Sequence, residues 1–138
     1  MPQFSTRFDT HLHHIHLEFF VTDTMGIRHS VAGILDTGAP RTEFSDRFLA
    51  AIGLVGKTSL DSEMRVGLQT HKYGKTIIPR VEICQHTMTE LEVIVSYFDE
   101  SWGVDALVGL DFFRENYVGI DYSRGVIVSE PFAIWSEP

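Results

Sequence analysis

Alternation dominates the first part of this chain. Ile15, Leu17, Phe19 and Val21 interleave with His14, His16, Glu18 and Phe20, a period-two stripe that predicts a half-buried strand. Asp23-Thr24-Met25-Gly26 reads as a turn, and Ile27 to Leu35 returns as a second strand ending in the apolar run Val31-Ala32-Gly33-Ile34-Leu35. A short helix is expected next. Ser45 suits the N-cap, Asp46 the positive end, Phe48, Leu49 and Ile52 one apolar face, and Gly53 the stop. After the polar stretch Lys57 to Glu63, a second hairpin is expected from Met64 to Ile78, with Gly67 and Gly74 in its flexible part. Val81-Glu82-Ile83 and Leu91 to Val95 form two further strands around a Gln85 to Met88 turn, and Tyr97 to Gly103 a loop carrying Trp102.

The last third repeats the design. Ala106-Leu107-Val108-Gly109 predicts a short buried strand, Leu110 to Asn116 a helix, and Tyr117 to Asp121 with Val126 to Val128 a hairpin around Ser123-Arg124-Gly125. Pro131 to Pro138 is an exit segment with Phe132, Ile134 and Trp135 too apolar for a free tail. No composition shift or low-complexity linker marks a boundary, so residues 1–138 read as one domain with a core at about 14–130. The expected fold is all-β, a closed, barrel-like sheet with one or two short helices.

Composition narrows the function. A net charge of −8 argues against nucleic acid or an anionic membrane as partner. No apolar stretch has the length of a bilayer-spanning helix. The opening Met1 to Thr10 lacks a secretory pattern, which favours the cytosol. Cys84 is the single cysteine, which rules out an internal disulfide and a Cys-based metal cluster, and it reads as a small buried hydrophobe. His11, His13, His14 and His16 cluster near the first strand, but no matching ligand set follows. They read as a solvated strand face, and no metal or cofactor is expected. His29 and His86 read as surface residues, Trp102 and Trp135 as core or interface aromatics.

The candidate chemistry is Asp36-Thr37-Gly38, where the buried run breaks into a turn. A carboxylate there is costly unless it has work to do. Two carboxylates about 3 Å apart cannot both ionise; they share a proton, so one can activate water while the other protonates a carbonyl oxygen. Thr37 can hold the turn, Gly38 lets backbone N–H groups approach the carboxylate, and Ala39 keeps the space above it clear. The triplet occurs once. Asp23-Thr24-Met25, Asp61-Ser62-Glu63, Asp105-Ala106 and Asp121-Tyr122-Ser123 do not repeat it, so a second carboxylate would come from a twofold homodimer.

Ile34-Leu35-Asp36-Thr37-Gly38-Ala39, followed later by Leu107-Val108-Gly109-Leu110-Asp111-Phe112-Phe113, resembles the retroviral-type (retropepsin-like) aspartic proteases, and the Gly109-Leu110-Asp111 continuation their cellular branch. The resemblance covers about Ile15 to Val128 and includes the order of elements. It implies a homodimeric endopeptidase with Asp36, Thr37 and Gly38 in the catalytic loop, Thr37 interlocking across the axis, and a peptide or protein substrate. It also implies a flap within Met64 to Ile78, with Val66, Gly67, Leu68 and Tyr73 over the substrate, while Ala39, Leu107, Val108 and Gly109 wall the site. Two departures stand out: Pro40 after Ala39, where viral enzymes carry an aspartate, and a glycine-poor flap segment with His71, Lys72 and Tyr73. A catalytically silent dimerisation or peptide-binding module with the same fold is the alternative.

Overall fold

The structure is a computed structural model that describes residues 3–55 and 71–132, the side chains of residues 71–73 excepted. The alternating stripe becomes β2 (His16–Thr22) and returns as β3 (Arg28–Leu35), with Leu17, Phe19, Val21 and Val31 buried. Their turn is built by Asp23, whose Oδ1 accepts the amides of Met25 at 2.8 Å and Ile27 at 3.0 Å. Oδ2 lies 2.8 Å from His29 Nε2. The contact with His29 and these amides hold the Asp23 carboxyl below its usual range.

Elsewhere the order is β1 (Phe4–Arg7), then after β3 come β4 (Glu43–Ser45), α1 (Asp46–Ala51), β5 (His71–Ile83) and β6 (His86–Tyr97). A 3-10 turn (Glu100–Trp102), β7 (Ala106–Val108), α2 (Leu110–Phe113), β8 (Asn116–Asp121) and β9 (Val126–Pro131) complete it. Among the described residues β2-β3-β7-β4-β6-β5 close into a barrel, β5 returning to pair with β2, while β1-β9-β8 form a separate three-stranded sheet. Phe19 and Phe44, in edge-to-face contact at 6.0 Å, lie in the barrel core with Val31, Ile78, Val93, Ala106 and Val108.

Several expectations need correction. The polar opening contains β1, whose residues pair with β9 from Phe4↔Ser129 to Arg7↔Val126. Its alternation is only four residues long and its buried side is half-covered, so it carries little hydrophobic signal. The second arm of the expected Met64 to Ile78 hairpin and the separate strand at Val81 to Ile83 are one strand, since β5 runs unbroken from His71 to Ile83; the first arm lies outside the described residues. Pro79 lies inside it, and the register shift falls between Lys72 and Gly74. The β5–β6 turn is made by Cys84 and Gln85, both at positive φ (51° and 70°), a tight geometry usually signalled by Asn or Gly. α2 is shorter than expected, because Asn116 already opens β8. β4 was not expected at all; its three residues are buried on both sides between β6 and β7. The Tyr97 to Gly103 loop holds the end of β6 and the 3-10 turn. α1 follows the expectation: Ser45 Oγ accepts the Phe48 amide at 3.4 Å, and Gly53 sits at φ +78°.

His86 is the clearest reversal. It is 8% exposed, with Nε2 2.8 Å from Ser129 Oγ and the Phe4 ring edge-on at 5.1 Å, so it joins β6 to the three-stranded sheet. Burial holds its imidazole below the ordinary value of 6.5. Its contribution to stability is therefore complete above the unfolded value. It is lost as pH falls from there towards the folded one, where the unfolded chain holds the extra proton. The urea midpoint is expected to drop between about pH 7.5 and 5.5, and His86→Gln to flatten that slope. An unchanged slope in the variant would assign the effect elsewhere.

Candidate active site

Parallel pairing of β3 with β7 places the site. Gly33↔Ala106, Ile34↔Leu107 and Leu35↔Val108 lie side by side, and the Asp36 amide extends the ladder to Val108 O at 2.9 Å. Gly33 is needed in this pair, since a Cβ there would stand 2.6 Å from Phe19 Cε1. The chain then leaves the sheet in a turn closed by the Ala39 amide on Asp36 O at 3.1 Å. Gly38 N–H donates to Asp36 Oδ1 at 2.9 Å, which orients one carboxylate oxygen from its own loop. Asp36 is half-buried, and Thr37 and Gly38 are exposed.

The loop is strapped to α2. Leu110 N–H donates to Ala39 O at 2.8 Å, and Gly109 N–H to Thr42 Oγ1 at 3.1 Å. Asp111 takes the Thr42 amide on Oδ2 at 2.9 Å and the Thr42 hydroxyl on Oδ1 at 2.7 Å. Arg114 reaches Pro40 O at 3.2 Å. Thr42 is fully buried, so both its donors, the amide and the hydroxyl, depend on Asp111. Asp111→Ala is expected to cost about 2 kcal/mol, with Asp111→Asn recovering part because its amide oxygen still accepts. Paired urea denaturations check this, and equal stability of the Ala variant and the parent would refute it.

A cavity of about 590 Å³ opens beside the carboxylate, lined by His14, His16, Ile34, Leu35, Asp36, Trp102, Val104 and Leu107. Of the expected wall residues only Leu107 lines it. Val108 and Gly109 are buried, and Ala39 is 4% exposed, its carbonyl bonded to Leu110 of α2. Val66, Gly67 and Leu68 lie outside the described residues, as do the side chain of Tyr73 and all of Trp135. His14, His16, Ile34, Trp102 and Val104 are additions to the site expected from the sequence. The two histidines keep the solvent exposure expected of them, His14 exposed and His16 half-buried, and line the cavity because His16 pairs directly with Ile34, two residues before Asp36. That register follows from the length of the β2–β3 hairpin and was a signal available in the sequence. Among the described residues no three His, Cys, Asp or Glu side chains come together as a metal site.

The same frame occurs in solved structures. A retropepsin-like aspartic protease from Rickettsia conorii shares it with a TM-score of 0.63 over 93% of this chain and 90% of that one, at 13% identity. The retroviral protease-like domain of Ddi1 from Leishmania major does so with a TM-score of 0.52 over 81% and 86%, at 16% identity. The fold is retropepsin-like. No protein-family model matches the chain, and no curated protein does. In this retropepsin-like fold Asp36 occupies the loop that leaves β3 beside β7 and lines the cavity.

Proposed function

We propose that this protein is a homodimeric aspartic endopeptidase in which Asp36 of each protomer forms a dyad that activates water against a peptide bond. The observation that carries this reading is the Asp36 carboxylate itself. It is oriented by the Gly38 amide, fastened through Thr42 and Asp111, and open to a cavity large enough for a substrate side chain. One such loop per chain supplies half a dyad, and a twofold axis supplies the other half. Exposure of Thr37 and Gly38 suits a contact with a second copy.

In such a dyad the ionised carboxylate takes a proton from water, the protonated one donates towards the carbonyl oxygen, and the roles reverse as the amine leaves. No cofactor is needed. We place the flap over the substrate within Met64 to Ile78, with Val66, Gly67, Leu68 and Tyr73 as its proposed substrate contacts, while Leu107 walls the pocket and the buried Ala39, Val108 and Gly109 support it.

Sedimentation is expected to give a species of twice the 15.7 kDa chain mass. Cleavage of a peptide library across acidic to neutral pH should be blocked by a transition-state-mimicking inhibitor of aspartic proteases. A chain that stays monomeric at high concentration, or a dimer with no inhibitor-sensitive cleavage, would favour a silent peptide-binding module. Pro40, exposed beside the loop, favours that second reading.

A further inference from the structure

We propose that the cavity beside Asp36 takes an aromatic substrate side chain with a polar tip, tyrosine in preference to phenylalanine, and that His14 and His16 set this preference. The inference rests on the reading that a peptide lies across Asp36, and it adds which side chain is held there.

The lining has two unlike parts, side by side along the sheet. One is apolar: Ile34 and Leu107, adjacent across β3 and β7, with Val104. Trp102 extends it. Its indole is 36% exposed but does not swing freely, because it packs on the buried Phe98 at 5.5 Å and rides on a turn whose Asp99 cap accepts the Ser101 amide at 2.9 Å. A fixed indole next to branched aliphatic side chains favours a flat ring over a flexible chain. The neighbouring part carries the two imidazoles. His16 stands opposite Ile34 in the β2–β3 ladder, so their side chains share a face, and the His14 ring meets the His16 ring edge-on at 6.4 Å.

An occupant without polar atoms would strip water from these ring nitrogens and return nothing, which penalises phenylalanine. A phenol both donates and accepts, so it can serve an imidazole in either tautomer. A carboxylate-bearing side chain would meet Asp36 in the same cavity and be repelled. A lysine or arginine would pair with Asp36 and take the group that the proposed reaction needs free.

The test uses Asp36→Asn protein, which holds peptides without turning them over, and fluorescently labelled peptides in which one tyrosine or one phenylalanine is moved along a constant sequence. The best tyrosine peptide is expected to bind about three- to tenfold tighter than its phenylalanine twin. His14→Leu with His16→Leu should bring the ratio to about one, and Gln at both positions should restore part of it through the amide donor and acceptor. Phenylalanine binding as tightly as tyrosine, a ratio that persists in the Leu variant, or no peptide binding at all would overturn the proposal. Cleavage of the same peptides by the unaltered protein judges the protease reading separately. Tyrosine-selective binding without cleavage would refute the protease and uphold the pocket; cleavage without selectivity would overturn the pocket alone.

Discussion

Asp36→Asn is expected to lower kcat/KM for the proposed peptide cleavage by about 10⁴-fold or more while leaving the fold and the proposed dimer in place. The two halves of that expectation have separate causes. An asparagine amide keeps an oxygen that can accept the Gly38 N–H, so the loop geometry built around Asp36 Oδ1 persists. The same amide cannot take a proton from water at any useful pH, nor share one with its copy, so both roles of the proposed dyad disappear together. Single-turnover assays on protein purified free of host proteases, with sedimentation on the same sample, read both halves. Cleavage persisting at the parental rate would remove Asp36 from the chemistry. Loss of the dimer would mean that the carboxylate pair is also part of what holds the protomers together.

Gly109→Ala is expected to destabilise the fold by about 3 kcal/mol and, in the fraction that folds, to slow cleavage on the order of 100-fold. A Cβ at Gly109 would stand 2.6 Å from Ala39 O and from the carbonyl carbon and oxygen of Arg41. These are backbone atoms of the Asp36 loop, so no side chain can rotate out of the way. Relief requires the loop to move off α2, which breaks the bond from Gly109 N to Thr42 Oγ1 and loosens the clasp of Asp111 on Thr42. A displacement of about 1 Å at the carboxylate is enough to misplace attacking water, and the activity loss should therefore exceed what the folded fraction alone predicts. Urea denaturation gives the first quantity and activity per folded molecule the second. Parental stability in the variant would show that the two segments separate more readily than their packing implies.

Gly109 also shows why the two halves of the site were unevenly legible. Asp36-Thr37-Gly38 is local: three adjacent residues at the end of an apolar run, readable wherever they occur. The apolar pair before Gly109 was readable as a short buried strand for the same reason. What Gly109 touches was not, because the contact joins residues far apart in the chain. The burial of His86 against Ser129 and the three-residue β4 between β6 and β7 share that origin. A histidine flanked by polar residues carries no burial signal in its own neighbourhood, and three residues are too few for a period to declare itself. The β5–β6 turn failed differently: Cys84 and Gln85 adopt positive φ without a residue that prefers it, because the strands on either side impose the geometry.

The chain on its own determined the alternating strands, the helix cap at Ser45 and the position of a lone carboxylate at the end of an apolar run, since each depends on neighbours a few residues away. Only the tertiary structure decided which strands lie side by side, that Asp111 reaches back to Thr42, and that His14, His16 and Trp102 share a cavity with Asp36. Those outcomes follow from the closure of the barrel, which sets distant registers by how side chains fill one common interior.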